Sequence, residues 1–171
     1  MKSFYLKQKV FALRDRYKIY DEKQTPIYHC EGKMFALRPK VDLVRTADNA
    51  RLFTLKRRMF KVMPSFFLYD AEDRKVATIR RRFSFFRPKI DIESDYGEFV
   101  AEGDFYAHQF SVSMGATPAI DVRKKYLSWG DSYEITIYLD EHEAFLLALT
   151  VMIDQMLHNK TRSGFRIGPG R

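Results

Sequence analysis

Cysteine is nearly missing from these 171 residues: Cys30 stands alone. No intramolecular disulfide is therefore possible, which suits a reducing cytosol. The opening residues MKSFYLKQKVF alternate polar and apolar side chains and lack the continuous apolar stretch of a signal peptide, so the chain is expected in the cytoplasm. Nucleophile chemistry has no visible support. There is no Gly-x-Ser-x-Gly, no cysteine with a patterned histidine and no glycine-rich phosphate loop. His29, His108 and His142 are scattered without ligand-like spacing, so no metal or other cofactor is implied.

What the chain does have is a β-leaning composition and an excess of positive charge. Aromatic residues make up 15%, mostly Phe and Tyr, and they accompany many Val, Ile and Thr. Such residues favour pleated, half-buried surfaces. Lys and Arg number 30 against 22 Asp and Glu, a net charge of +8. That balance favours an anionic partner, such as nucleic acid, an acidic lipid surface or a phosphorylated ligand, and equally describes a solvated basic surface.

A repeat of about 24 residues organises the chain. Lys9-Val-Phe-Ala-Leu-Arg-Asp15 returns as Lys33-Met-Phe-Ala-Leu-Arg-Pro39, with weaker copies at Arg58–Pro64, Arg82–Pro88 and Lys125–Asp131. The last interval is nearly double the others, and Asp104–Phe110 fills it as a shortened member, making six units. Around each kernel the alternation resumes, as in Tyr17–Tyr20, Lys40–Leu43, Ser65–Tyr69, Lys89–Ile92 and Ser132–Ile137. Turn-forming clusters separate the units: Asp21–Gln24, Ala47–Asn49, Asp70–Asp73, Ser94–Gly97 and Gly115. Alternation on both sides of short punctuation marks a hairpin, and six hairpins predict about twelve strands.

One segment breaks the period. From Ala144 to Ile153 the chain reads AFLLALTVMI, interrupted only by Thr150. The spacing predicts a helix over Asp140–His158, with Asp140 as cap, Glu143 completing a capping box, and Lys160 and Arg162 near its negative end. Its middle turns are apolar all round, so it must be covered on every side. A membrane span needs about 20 apolar residues, roughly twice this run, so no transmembrane span is expected. A barrel of about twelve strands has room inside for a helix about 10 Å across, whereas eight strands leave room only for side chains. The predicted fold is therefore all-β with one central helix: an antiparallel closed barrel over residues 1–160 enclosing the C-terminal hydrophobic helix, followed by a flexible basic tail over 161–171.

Several stretches resemble a known family. Leu13-Arg-Asp-Arg-Tyr-Lys-Ile-Tyr-Asp-Glu22, Glu31-Gly-Lys33, Ile79–Lys89, Glu102-Gly-Asp-Phe105, Ser128-Trp-Gly-Asp-Ser-Tyr133 and the final apolar helix are similar to the LURP-one-related family in its bacterial branch, from about Phe4 to Lys160. The resemblance implies the fold of the tubby C-terminal domain and of phospholipid scramblases, a twelve-stranded barrel around a helix. Tubby-like domains bind phosphoinositides, and scramblases act on membranes with calcium. No acidic Asp-x-Asp-x-Asp-Gly loop is present here, so the calcium-dependent chemistry does not carry over.

The strongest charge cluster runs from Arg80 to Lys89, preceded one unit earlier by Lys56-Arg-Arg58. Alternate strand residues share a face, so Arg80 and Arg82 can present two guanidiniums to one phosphate, with Arg87 and Lys89 beyond the kink and Lys56 and Arg58 alongside. The opposing reading is that basic residues guard strand edges against pairing with other chains. Nucleic acid is disfavoured because the interleaved aromatics occupy core-facing positions. Asp154 and His158, four apart, share a helix face as a base and its orienter would, but also as a helix end satisfied by its own last turn would. The reading is a non-enzymatic binding or structural module for an anionic lipid headgroup or another phosphorylated ligand, the alternative being a protein–protein interaction module.

Overall fold

The computed structural model describes residues 1–8, 17–33, 40–58, 65–82, 89–105, 107, 109–127 and 130–163, with the side chains of all of these but 8, 33, 58, 126, 127, 130, 131 and 157–163. The first six strands are β1 (Lys2–Gln8), β2 (Tyr17–Tyr20), β3 (Pro26–Lys33), β4 (Lys40–Arg45), β5 (Arg51–Arg58) and β6 (Ser65–Tyr69). Six more follow: β7 (Lys75–Arg82), β8 (Lys89–Ser94), β9 (Gly97–Asp104), β10 (Gln109–Met114), β11 (Thr117–Leu127) and β12 (Gly130–Ile137). A 3₁₀ turn, Asp140–His142, then leads into helix α1 (Glu143–Ser163).

Each strand pairs antiparallel with its sequence neighbours, and β1 pairs with β12 to close the barrel. Closure removes every free edge, the unpaired row of N–H and C=O groups that an open sheet must protect. Period-two alternation sets the faces. Phe4, Leu6, Ile19, Leu43, Leu55, Leu68, Ile79, Ile92, Val112 and Ile135 are buried, while Lys18, Asp42, Lys56, Arg80, Asp91 and Glu134 alternate with them on the opposite face of their strands. Along the middle of the strands apolar residues point into the lumen and charged ones outward, the inverse of the pattern of membrane-spanning barrels.

The lumen is filled by α1. Every residue from Phe145 to Met156 is buried, which is more than three full turns covered on all sides. The helix packs against both β5 and β11, which lie half a circumference apart in a ring of twelve. The hydroxyl of Thr150, its polar interruption, donates back to the Leu146 carbonyl at 3.0 Å and so costs little to bury. The six hairpins, twelve strands and central helix agree with the pattern in the sequence.

Three details differ. The helix runs to Ser163, five residues past the expected end, so the segment 161–163 belongs to it and 164–171 lie outside the described residues. No side-chain cap forms at Asp140. Its Oδ2 instead accepts from the Met1 nitrogen at 3.0 Å, while Glu143 accepts from Lys2 Nζ at 2.6 Å and Tyr28 OH at 2.9 Å. Partners brought in by β1 and β3 thus replace the local capping box. Most of the repeat kernel falls in the connections that follow β1, β3, β5, β7 and β11, largely outside the described residues.

Two glycines of the resembling motifs have a steric role. Gly32 at φ 129° and Gly103 at φ 147° hold equivalent places near the ends of β3 and β9. A Cβ on either would lie 2.3 Å from the Lys40 carbonyl oxygen or 2.4 Å from that of Gln109. Only glycine permits both the backbone angle and the close approach of the next strand.

Candidate functional site

The barrel has two unlike ends. At one, here the near end, lie the turns 21–25, 46–50, 70–74, 95–96 and 115–116 and the start of α1. These turns, residues 138–143 and the last two residues of each strand at this end carry twelve carboxylates against six cations. At the far end the last two residues of each strand alone carry nine Lys and Arg against Asp104 and Asp131. The positive charge is therefore gathered at the end towards which α1 runs.

The far end holds the basic residues singled out in the sequence. Arg80 and Arg82 share the outer face of β7, as alternation requires, and each meets a carboxylate of β8. Arg80 Nη1 lies 3.4 Å from Glu93 and Arg82 Nε lies 2.8 Å from Asp91. Lys89 Nζ lies 2.5 Å from Glu102 on β9, and Lys56 Nζ sits 4.1 Å above the Tyr69 ring. Arg58 occupies the last position of β5, its side chain not among those described, and Arg87 lies outside the described residues. The structure thus brings Arg80, Arg82 and Lys89 onto adjacent strands in a row of exposed ion pairs.

The residues between them were missed. Arg57 pairs in register with Phe66, and Arg81 with Ile90, both lumenal, so these two arginines turn inward where their neighbours turn outward. Both are half-buried. Their phase was readable: each stands two residues beyond a core side chain, Leu55 or Ile79.

Deeper in the lumen, the buried hydroxyl of Tyr17 donates to Asp154 of α1. Burial, reinforced by the Asp154 carboxylate, pushes the Tyr17 hydroxyl well above its ordinary value. Asp154 therefore ties α1 to β2, and the His158 side chain is not among those described. Cys30, also lumenal, is raised to about 12, chiefly by burial and secondarily by Asp42. Such a thiol is inert at neutral pH.

At the near end an open cleft of about 400 Å³ is lined by Tyr28, Arg45, Phe53, Asp70, Arg74 and Tyr96, among others. Of its charged side chains, Arg45, Asp70 and Arg74 are already paired. Asp70 accepts from Arg74 Nε at 2.8 Å and from the Glu72 and Arg74 amides at 3.0 and 2.8 Å, and Arg45 pairs with Asp48 at 3.1 Å. Burial opposes ionisation of Asp70, but these donors outweigh it and hold its carboxyl below the usual range. Among the described residues no group of three or more His, Cys, Asp or Glu is arranged to hold a metal ion, and no helix is long and apolar enough to cross a membrane.

A twelve-stranded closed barrel around a buried helix is the architecture that the motifs implied. The LURP-one-related family model matches residues 2–154, and the chain belongs to that family. It is also similar to YxjI of Bacillus subtilis (strain 168), 26% identical over 159 residues that cover 93% of this chain and 96% of that protein. The relative is itself described as an uncharacterized protein. No solved structure matches the chain.

Proposed function

We propose that this protein is a binding module rather than an enzyme, and that its basic end captures an anionic lipid headgroup or another phosphorylated ligand. The observation that carries the reading is the nine-to-two excess of cations on the strand tips at one end of a closed, rigid barrel. Opposite charge at the two ends orients the molecule in the field of an anionic surface before contact. Lys56, Arg58, Arg80, Arg82, Arg87 and Lys89 supply the attraction. The ion pairs of Arg80, Arg82 and Lys89 are exposed, and such pairs contribute about 0 to 1 kcal/mol each, so a phosphate can replace their carboxylates at small cost.

Sedimentation with acidic and with neutral vesicles, at low and high salt, tests the proposal. Binding to acidic vesicles alone, weakening as salt rises, is the expected result. Equal binding to both would remove it. A second reading, docking of a protein partner, draws on the carboxylate-rich near end, where the cleft exposes parts of Tyr28, Leu52 and Tyr96. A stoichiometric complex abolished by substitutions in that cleft would favour it.

A further inference from the structure

The strands β5 and β7 end alike, in Lys56-Arg57-Arg58 and Arg80-Arg81-Arg82. Alternation divides each run. Lys56, Arg80 and Arg82 face outward and have partners in Tyr69, Glu93 and Asp91, whereas Arg57 and Arg81 face the lumen. The guanidinium of Arg57 lies over the Phe66 ring at 5.8 Å, and its Nε is buried with no hydrogen-bond partner among the described residues. Arg81 is half-buried and has no ion pair or hydrogen bond among the described residues. A buried guanidinium nitrogen without an acceptor, as Arg57 Nε is among the described residues, is costly, because it has given up water and gained no hydrogen bond in return.

The geometry points to a ligand that supplies those acceptors. The two strands flank β6; Ile79 lies across Phe66 from Arg57, and Arg81 stands two residues further along β7, so the backbones of Arg57 and Arg81 lie roughly 12 Å apart. Two inward-turned arginine side chains can close that gap around one group. The guanidinium fork matches two oxygens of a phosphate, and a monoester offers three to be shared between two forks. We infer that Arg57 and Arg81 form a phosphate-monoester site at the basic mouth of the barrel. The inference rests on the anionic-ligand reading above and assigns it to the inward residues.

The test compares Arg57→Gln/Arg81→Gln with Arg80→Gln/Arg82→Gln, since glutamine keeps part of the apolar stem and removes the charge. Titration with glycerol 3-phosphate covers the free ligand. Vesicles containing phosphatidic acid, a monoester, against phosphatidylglycerol, a diester, at matched surface charge cover the lipid source. We expect the inward pair of substitutions to weaken binding of the monoester at least about tenfold, and the outward pair less than about threefold. Equal losses, or a larger loss from the outward pair, overturn the assignment. Binding to both kinds of vesicle with no preference for the monoester overturns it too, while leaving the electrostatic reading intact. No binding to any acidic vesicle overturns both.

Should the inward variant fail to fold, phenylglyoxal modification of the unaltered protein, mapped by mass spectrometry, replaces it. Glycerol 3-phosphate should protect Arg57 and Arg81 and leave Arg80 and Arg82 reactive. Protection of neither inward arginine contradicts the site.

Discussion

The two ends of the barrel are made of the same six hairpins, yet one is acidic and holds the start of α1, and the other is basic and receives its later turns. At the near end Lys2 and Tyr28 grip Glu143 across the rim. At the far end the grip is buried, between Tyr17 and Asp154, and the rim is left to cations. A net charge of +8 therefore conceals an axial separation of charge. Only the separation says which end an anion meets.

Breaking α1 should erase the distinction altogether. Leu147 is fully buried inside the barrel, and Leu147→Asp would place an unpaired charge there, at a cost comparable to the whole stability of about 5 to 15 kcal/mol. Loss of the cooperative thermal transition by circular dichroism is the expected outcome; an unchanged melt would contradict a helix inside the barrel.

The two grips should differ in strength. Tyr17→Phe removes a donor from a buried carboxylate and should cost about 1 to 3 kcal/mol, a melting shift of roughly 2 to 4 °C per kcal/mol in a chain of this size. Glu143→Gln acts at the rim, where Lys2 is half-exposed, and should cost less than about 1 kcal/mol. The reverse order, measured by urea unfolding, would mean that the near end is the firmer anchor.

A smaller effect is expected from alkali. Cys30 and Tyr28 are both raised to about 12, Cys30 by burial and then Asp42, Tyr28 by burial and then its bond to Glu143. A raised value favours the native state fully below the unfolded value, which is about 9 for the thiol and about 10 for the phenol, and the benefit is lost as pH climbs towards 12. Stability should thus fall between about pH 9 and 12, and Cys30→Ala should flatten part of that fall. Identical slopes in the two proteins would show that the thiol is not protected as its burial implies.

The fold was legible because two signals agreed. The repeat with its turn clusters predicts hairpins, and the all-round apolar run Ala144–Ile153 requires an enclosure that twelve strands supply. The helix start was less legible. Asp140 and Glu143 read locally as a capping box, but the competing donors, Lys2 and Tyr28, are more than a hundred residues away in sequence. The candidate site was legible in its residue types and only partly in its direction. Alternation correctly puts Arg80 and Arg82 on one face, but the sequence does not reveal that β8 sets Asp91 and Glu93 against them. Arg57 and Arg81 escaped notice because each sits inside a basic run, where charge hides the inward phase set by Leu55 and Ile79.

The contrast between the ends can be measured with an environment-sensitive fluorophore on a single added cysteine, since buried Cys30 should stay unlabelled. With the label at Ser65 on the far end, acidic vesicles should change the emission, and with the label at Asn49 on the near end they should not. A response confined to Asn49, or equal at both positions, would contradict the assignment of binding to the basic end.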